Sequence, residues 1–305
     1  MKYKICKMNF TAGIHVGIQN LDSPCFLADT LFSALCQEAI RTDEGIEYFV
    51  DKFRNQQLQI SDTMFFCDEK YYIPKPMLRI EGKDDGSSIE KKAFKKLKSL
   101  QIKHLHDFLK GKLDPIAENK ENSNFGAYDI RTNAVIDENG QAVPYQSEVF
   151  RFNKGCGLYF CVRYKDDGDL EYLQILVQAL SYSGIGGKRS RGLGRFQYEI
   201  VDMPEELLSR MEEKKGTGYI SLAISLPVEG DLKEICKASN YRLIRRGGFV
   251  ASRTYAESFQ KKKDCYCFSA GSYFPGRFKG DIYNVSNKYG AHPVYQYAIP
   301  FFMEV

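Results

Sequence analysis

The chain has no tryptophan, no Cys-x-x-Cys pair, only four histidines and a net charge of just +4 across 305 residues. Each shortage excludes something. So small a charge rules out a global basic field, and any affinity for nucleic acid has to come from where the cations sit. Nothing approaches the roughly 18–20 uninterrupted apolar residues of a membrane-spanning helix. The opening Met1-Lys2-Tyr3-Lys4-Ile5 runs straight into polar residues, without the apolar stretch of a signal peptide. A cytoplasmic protein with no membrane association is expected. Most of its nine cysteines would then meet a reducing solvent and act as small buried hydrophobes. Cys265 and Cys267 share a face if their segment is a strand, but no histidine stands near them and zinc-ligand spacing is missing. Neither a metal nor a cofactor is expected.

What is present fits a globular α+β chain long enough for two domains. Residues 2–10 alternate polar and apolar, as a strand does. Leu27, Leu31, Leu35 and Ala39 recur at helical spacing, which predicts a helix over 28–40. Strands are expected at 58–67 and 71–73, joined by Asp68-Glu69-Lys70. From Gly82 to about 146 the composition turns charged, with a basic helix expected over 88–109. Asn139-Gly140 between short apolar runs at 134–136 and 142–145 is a hairpin signal, with Arg131 at the hairpin's foot. Little beside it looks able to form a core, so the hairpin should project.

Core-like sequence resumes in a strand over 157–164. An N-cap at Asp166–Asp169 follows, then an amphipathic helix marked by Leu170, Leu173, Leu176, Val177 and Leu180, and a strand over 195–201. With the insertion removed, the order is close to the βαββαβ ferredoxin-like unit. An acidic helix over 204–215, ended by Gly216 and Gly218, leads to a β-rich second half read as a degenerate copy. Its strands are expected at 219–226, 241–246, 265–270 and 292–305, with a short helix at 232–238. The expected domains are therefore 1–203, carrying an insertion at 82–147, and 217–305.

Residues 183–195, SGIGGKRSRGLGR, hold five glycines, four basic residues and no acid. Glycine lets a ligand approach the backbone, consecutive amides can point at an anion, and arginine matches two phosphate oxygens at once. Gly187-Lys188 is followed by Arg189, so this is no P-loop, and no Gly-x-Gly-x-x-Gly fingerprint is completed. Both of those motifs run from strand to helix, whereas this loop runs from helix to strand. A helix C-terminus accounts for Gly184 and Lys188. It leaves Gly186, Gly187, Gly192, Gly194, Arg189, Arg191 and Arg195 unexplained, and a phosphate or nucleic-acid backbone explains them better.

On these residues the chain resembles the RAMP superfamily of CRISPR proteins, whose glycine-rich loop sits on the same helix-to-strand turn. More narrowly it resembles the fourth subunit of the type III-A Csm effector complex. That narrower likeness rests on residues 10–17, on Asp29-Thr30-Leu31-Phe32-Ser33-Ala34-Leu35 and on Arg245-Arg246-Gly247-Gly248-Phe249. It rests also on residues 280–285 and 290–297. The resemblance implies two ferredoxin-like domains and a thumb hairpin that kinks a guide RNA. It implies a non-catalytic subunit at the base of the complex, holding the repeat-derived 5′ tag of the crRNA. Its neighbours would be the large polymerase-like subunit and the repeated backbone subunit. Gly186, Gly187, Lys188, Arg189, Ser190 and Arg191 carry over as crRNA contacts, and the loop reading adds Gly184 and Gly192.

Some RAMP relatives cleave RNA, and the alternative is a metal-independent crRNA-processing endoribonuclease with His15 as its base. Cleavage needs both a proton acceptor and a donor, and no partner for His15 is marked in the sequence. His15 is therefore taken as an RNA-contacting or structural residue. His104 and His106 would lie on different faces of the insertion helix. His292 is equally suited to packing or RNA. Arg245 and Arg246 are candidate RNA contacts, with Arg253 and Arg277 as weaker extensions of a basic track.

Overall fold

The computed structural model describes residues 1–17, 23–79, 87–212, 218–252 and 254–305. Gly82, residues 213–217 and Arg253, all named above, lie outside them. The fold is mixed α/β with antiparallel sheets. Strand β1 (Lys2–Phe10) buries Ile5, Cys6 and Met8. Helix α1 (Ala28–Ala39) follows, burying Leu31, Phe32 and Leu35. Helix α2 (Gly45–Arg54) was not foreseen, although Phe49, Val50 and Phe53 bury one face at helical spacing.

The strand expected over 58–67 is two strands, β2 (Leu58–Ile60) and β3 (Met64–Cys67). It breaks because the backbone between them bonds elsewhere: the Asp62 amide donates to the Leu222 carbonyl and the Thr63 amide to Phe26. Strand β4 (Lys70–Pro74) returns alongside β3.

The long basic helix is also a correction. A capping box between Ser87 and Glu90 starts α3 (Ser88–Lys96), but Leu97 is extended and residues 99–101 form β5 (Ser99–Gln101) on the edge of β4. A 3-10 turn (Ile102–His104), α4 (Leu105–Leu109) and α5 (Pro115–Asn122) complete the segment. Leu97, Leu100, Leu105, Phe108 and Phe125 are all buried, so much of the insertion packs on the body instead of standing apart. Burial of these side chains and pairing with β4 override the helical propensity of the lysine-rich run. His104 bonds to the buried Glu118 carboxylate.

The hairpin comprises β6 (Gly126–Ile136) and β7 (Ala142–Phe152), longer than the apolar runs suggested. Its turn is held by Asp137, whose carboxylate accepts from the Asn139 and Gln141 amides. Val135, Ile136 and Val143 near the tip are exposed, while Val149 and Phe150 at the base are buried. Then come β8 (Cys156–Tyr164), α6 (Asp167–Ser183), capped by the Asp166 side chain on the Asp169 amide, and β9 (Phe196–Asp202). The main sheet runs β5-β4-β3-β8-β1-β9, with β2 also on β8. Cys67 and Cys156 stand opposite each other across β3 and β8 and form a disulfide, a pairing that reading the cysteines as small hydrophobes did not anticipate.

The second half contains α7 (Glu205–Glu212), β10 (Tyr219–Ser221), α8 (Leu232–Cys236), β11 (Leu243–Arg246), β12 (Cys265–Phe268) and β13 (Tyr273–Phe274). Strands β14 (Ile282–Asn284), β15 (Tyr295–Tyr297) and β16 (Phe302–Glu304) follow. The single terminal strand expected over 292–305 is split. β15 pairs with β14 and β16 with β10, and Pro300, which has no amide to donate, lies between them. Among the described residues no helix is long and apolar enough to cross a membrane.

Asp62 ties the halves together. Its Oδ1 accepts from the amides of Ala28, 2.7 Å away, and Ile224, 2.9 Å away, while Oδ2 has no partner among the described residues. Burial raises this carboxyl to about 7. The folded chain therefore binds the proton more tightly than the unfolded chain, so stability falls as pH rises through the interval from about 4 to about 7. At roughly 1.36 kcal/mol per pKa unit the loss is of order 4 kcal/mol. Asp62→Asn keeps the Oδ1 acceptor and should flatten that fall. Urea midpoints at about pH 5 and about pH 8 measure it, and equal slopes for both proteins would exclude Asp62 as the cause.

Candidate nucleic-acid interface

Residues 184–195 leave α6 and return as β9, and the chain path is set by bonds to the segment after β1. The Gly187 amide donates to the His15 carbonyl (2.9 Å) and the Gly194 amide to Gly13 (3.0 Å). Across the loop's neck the Ile185 amide donates to Gly194 (3.0 Å). At least three glycines of the loop are needed for close approach within the protein: a Cβ on Gly186, which has φ +89°, would lie 2.7 Å from the His15 carbonyl oxygen. A Cβ on Gly187 would lie 2.6 Å from the His15 ring. Gly194 has φ +77°, and its Cβ would sit 2.0 Å from the Ile185 carbonyl oxygen. Gly194→Ala should lower stability by about 1–3 kcal/mol and loosen the neck. Thermal unfolding measures the first effect, and amide exchange at Ile185 the second; unchanged protection there would contradict the geometry.

Lys188 adopts a left-handed conformation, φ 58°, and begins a 3-10 turn, Arg189–Arg191. Among the described residues, the amides of Lys188, Arg189 and Ser190 donate to no backbone acceptor. The cations rest on neutral groups. Lys188 Nζ donates to the Tyr145 hydroxyl (3.2 Å) and lies 4.4 Å from that ring's centre. Arg191 bonds to Asn133 Oδ1 and also faces the Tyr145 ring. Arg189 turns the other way, donating to Gln37 Oε1 on α1 (3.2 Å) and to the Gly184 carbonyl (3.5 Å). Among the described residues no carboxylate is within ion-pair distance of these three. Their positive charge is therefore held in place without being cancelled. The Lys188 hydrogen bond, with Arg191 nearby, lowers the Tyr145 hydroxyl's pKa below its usual value.

His15 lies beside this loop, and its Nδ1 donates to the Glu148 carbonyl on β7 (2.7 Å). The structure thus brings together Gly184, Gly186, Gly187, Lys188, Arg189, Ser190, Arg191 and Gly192 with His15 and the hairpin. Arg131 is on the hairpin but pairs with Asp129 (3.4 Å). Tyr145 and Asn133 were missed by the sequence reading. The available signal was an aromatic and an amide on a polar hairpin, but only the register of β6 on β7 places them beside the loop.

Arg245 and Arg246 go elsewhere. Arg245 is exposed and pairs with Asp264 (2.6 Å). Arg246, expected to touch RNA, is a correction: it is 7% exposed and clamps Asp29 through two bonds of 2.7 and 3.0 Å. Alternation along β11 turns adjacent side chains to opposite faces, so one arginine faces solvent and the other the core. Both border a cavity of about 780 Å³ that reaches Phe65, Tyr72, Phe125 and Phe150. His292 bonds to Ser252 and packs against Tyr255. Arg277 stacks over the Tyr219 ring. Among the described residues no group of three or more metal-binding side chains gathers.

Residues 13–197 match the RAMP superfamily, and residues 214–305 match the CRISPR Csm4 C-terminal domain. A protein of Mycobacterium tuberculosis (strain CDC 1551 / Oshkosh) named CRISPR system Cms protein Csm4 is 34% identical over 293 residues, covering 95% of this chain and 93% of that one. A protein of the same name from Streptococcus thermophilus is 32% identical over 314 residues, covering 100% and 99%. Among solved structures, the Csm3-Csm4 subcomplex of the type III-A CRISPR-Cas interference complex contains a chain similar in fold. The TM-score is 0.68 at 19% identity, with 99% of each chain covered. A chain of the Csm1-Csm4 cassette in complex with AMPPNP gives a TM-score of 0.66 at 19% identity, over 100% of this chain and 98% of that one.

Proposed function

Because the chain belongs to the Csm4 family within the RAMP superfamily, we propose that it is a non-catalytic subunit of a type III-A CRISPR interference complex that holds the 5′ repeat-derived tag of the crRNA. The observation that carries this reading is the loop itself: among the described residues, Lys188, Arg189 and Arg191 are not neutralised by a carboxylate, and they surround amides that donate to no backbone acceptor, beside the hairpin. Such a surface suits a single-stranded phosphate backbone, and Tyr145 offers a face for a base.

In this reading residues 1–203 form a ferredoxin-like domain. Supporting it, β3-β8-β1-β9 follow the antiparallel order of that unit, with α1 and α6 as its helices. Residues 217–305 form a degenerate second copy, and the β6–β7 hairpin acts as a thumb that bends the guide where tag meets spacer. The relatives seen with Csm3 and with Csm1 support two neighbours, the repeated backbone subunit and the large polymerase-like subunit.

Photo-crosslinking of the chain to a tag-containing RNA tests the reading. Crosslinks should fall on residues 186–191 and on Tyr145, and their confinement to the second half would overturn it. His15→Ala separates the endoribonuclease alternative. Metal-free incubation with repeat RNA should give no product from either protein, whereas His15-dependent cleavage would make the chain an enzyme.

A further inference from the structure

Cys265 and Cys267 take no part in the proposed interface. On β12 they stand opposite Arg246 and Ile244 of β11, on the strand's inner face. Their sulfurs are 3.6 Å apart. Cys267 is wholly buried and Cys265 partly open. Beside them Lys262 Nζ donates to Gln296 Oε1 (2.8 Å), and Gln296 Nε2 donates to Asp29 Oδ2 (2.8 Å).

We propose that Cys265 and Cys267 are a reactive dithiol that closes to an intrastrand disulfide by exchange with a low-molecular-weight disulfide such as oxidised glutathione. Cys265 is the attacking sulfur. A hydrogen bond from Cys267 lowers its thiol to about 7 against the opposing effect of burial, and Lys262 adds to the lowering. The same bond, with burial, moves Cys267 upward. Elsewhere burial pushes the thiols of Cys6, Cys25, Cys36 and Cys161 up, which makes them poor nucleophiles at neutral pH.

In the first step the Cys265 thiolate attacks one sulfur of the oxidant, forms a mixed disulfide and expels one glutathione thiolate, which takes up a proton. Cys267 then loses its proton, attacks the Cys265 sulfur and expels the second glutathione. The two protein thiols lose two electrons and two protons, and the oxidant becomes two thiols. The new S–S bond, of about 2.05 Å, joins sulfurs already in contact.

The test uses the intact chain, incubated with oxidised glutathione, acid-quenched, alkylated and digested with trypsin. The peptide 264–277 carries Cys265 and Cys267 and no other cysteine. It should be recovered two hydrogens lighter and unalkylated. Cys267→Ser should trap glutathione on Cys265, about fivefold or more faster than Cys25 or Cys236, the other partly open thiols among the described residues, are modified. Cys265→Ser should leave Cys267 unmodified. Recovery of a doubly alkylated peptide, or glutathione on Cys267 in the Cys265→Ser chain, would overturn the proposal.

Discussion

A chain carrying Lys188→Ala, Arg189→Ala and Arg191→Ala is expected to bind single-stranded RNA far more weakly, with a salt dependence shallower by about 2. Each phosphate neutralised on a single strand contributes about −0.7 to the slope of log affinity against log salt, so removing three neutralising cations gives that change. Fluorescence anisotropy over a salt series reads both quantities, and an unchanged slope would remove the loop from the binding site. The structure separates the three single variants. Lys188→Ala and Arg191→Ala also release the hairpin, because both side chains hold Tyr145 or Asn133. Arg189→Ala releases the loop from Gln37 on α1. The first two should therefore weaken protection from ribonuclease near the hairpin, and the third should lower affinity without changing which nucleotides are protected.

The second large effect concerns folding. Among the described residues, Asp29→Ala leaves buried Arg246 with the Thr30 hydroxyl, 3.0 Å away, as its one hydrogen-bond partner in place of a carboxylate, and with Lys262 close by. Breaking a buried pair by removing one partner costs about 3–5 kcal/mol, chiefly because the remaining charge is uncompensated. Arg246→Ala should cost less, since Asp29 keeps the Gln296 amide. Replacing both by apolar residues of similar volume, Asp29→Leu with Arg246→Met, should recover much of the loss. Urea unfolding with m-values compared across the set measures this. Losses under about 1 kcal/mol for both single variants would show that the clamp is not what holds β11 to α1.

These two sites differ in how far the sequence revealed them. Residues 184–195 could be picked out because no other use explains glycine and arginine at that density. Even so, Gly187 and Gly194 turn out to make room for His15 and Ile185, so part of the glycine signal came from the loop's own packing. The Asp29–Arg246 clamp was invisible: the two residues lie far apart in the chain, and Asp29 looked like an ordinary residue near a helix start. The basic helix over 88–109 failed for a related reason. Its lysines fit a helix, but Leu97 and Leu100 are more stably placed in the core and on the edge of β4.

From composition and periodicity alone came the α+β class, β1, α1, β8, α6 and β9, the hairpin, and the helix-to-strand sense of the glycine-rich loop. Those features depend on contacts near in sequence, where side-chain period and turn chemistry decide the outcome. Tertiary structure alone decided which arginine of Arg245 and Arg246 is buried, where the last strand changes partner, and that Tyr145 and Asn133 meet the loop. Each of those depends on a pairing register or a desolvated charge between distant segments, and no local pattern encodes such a choice.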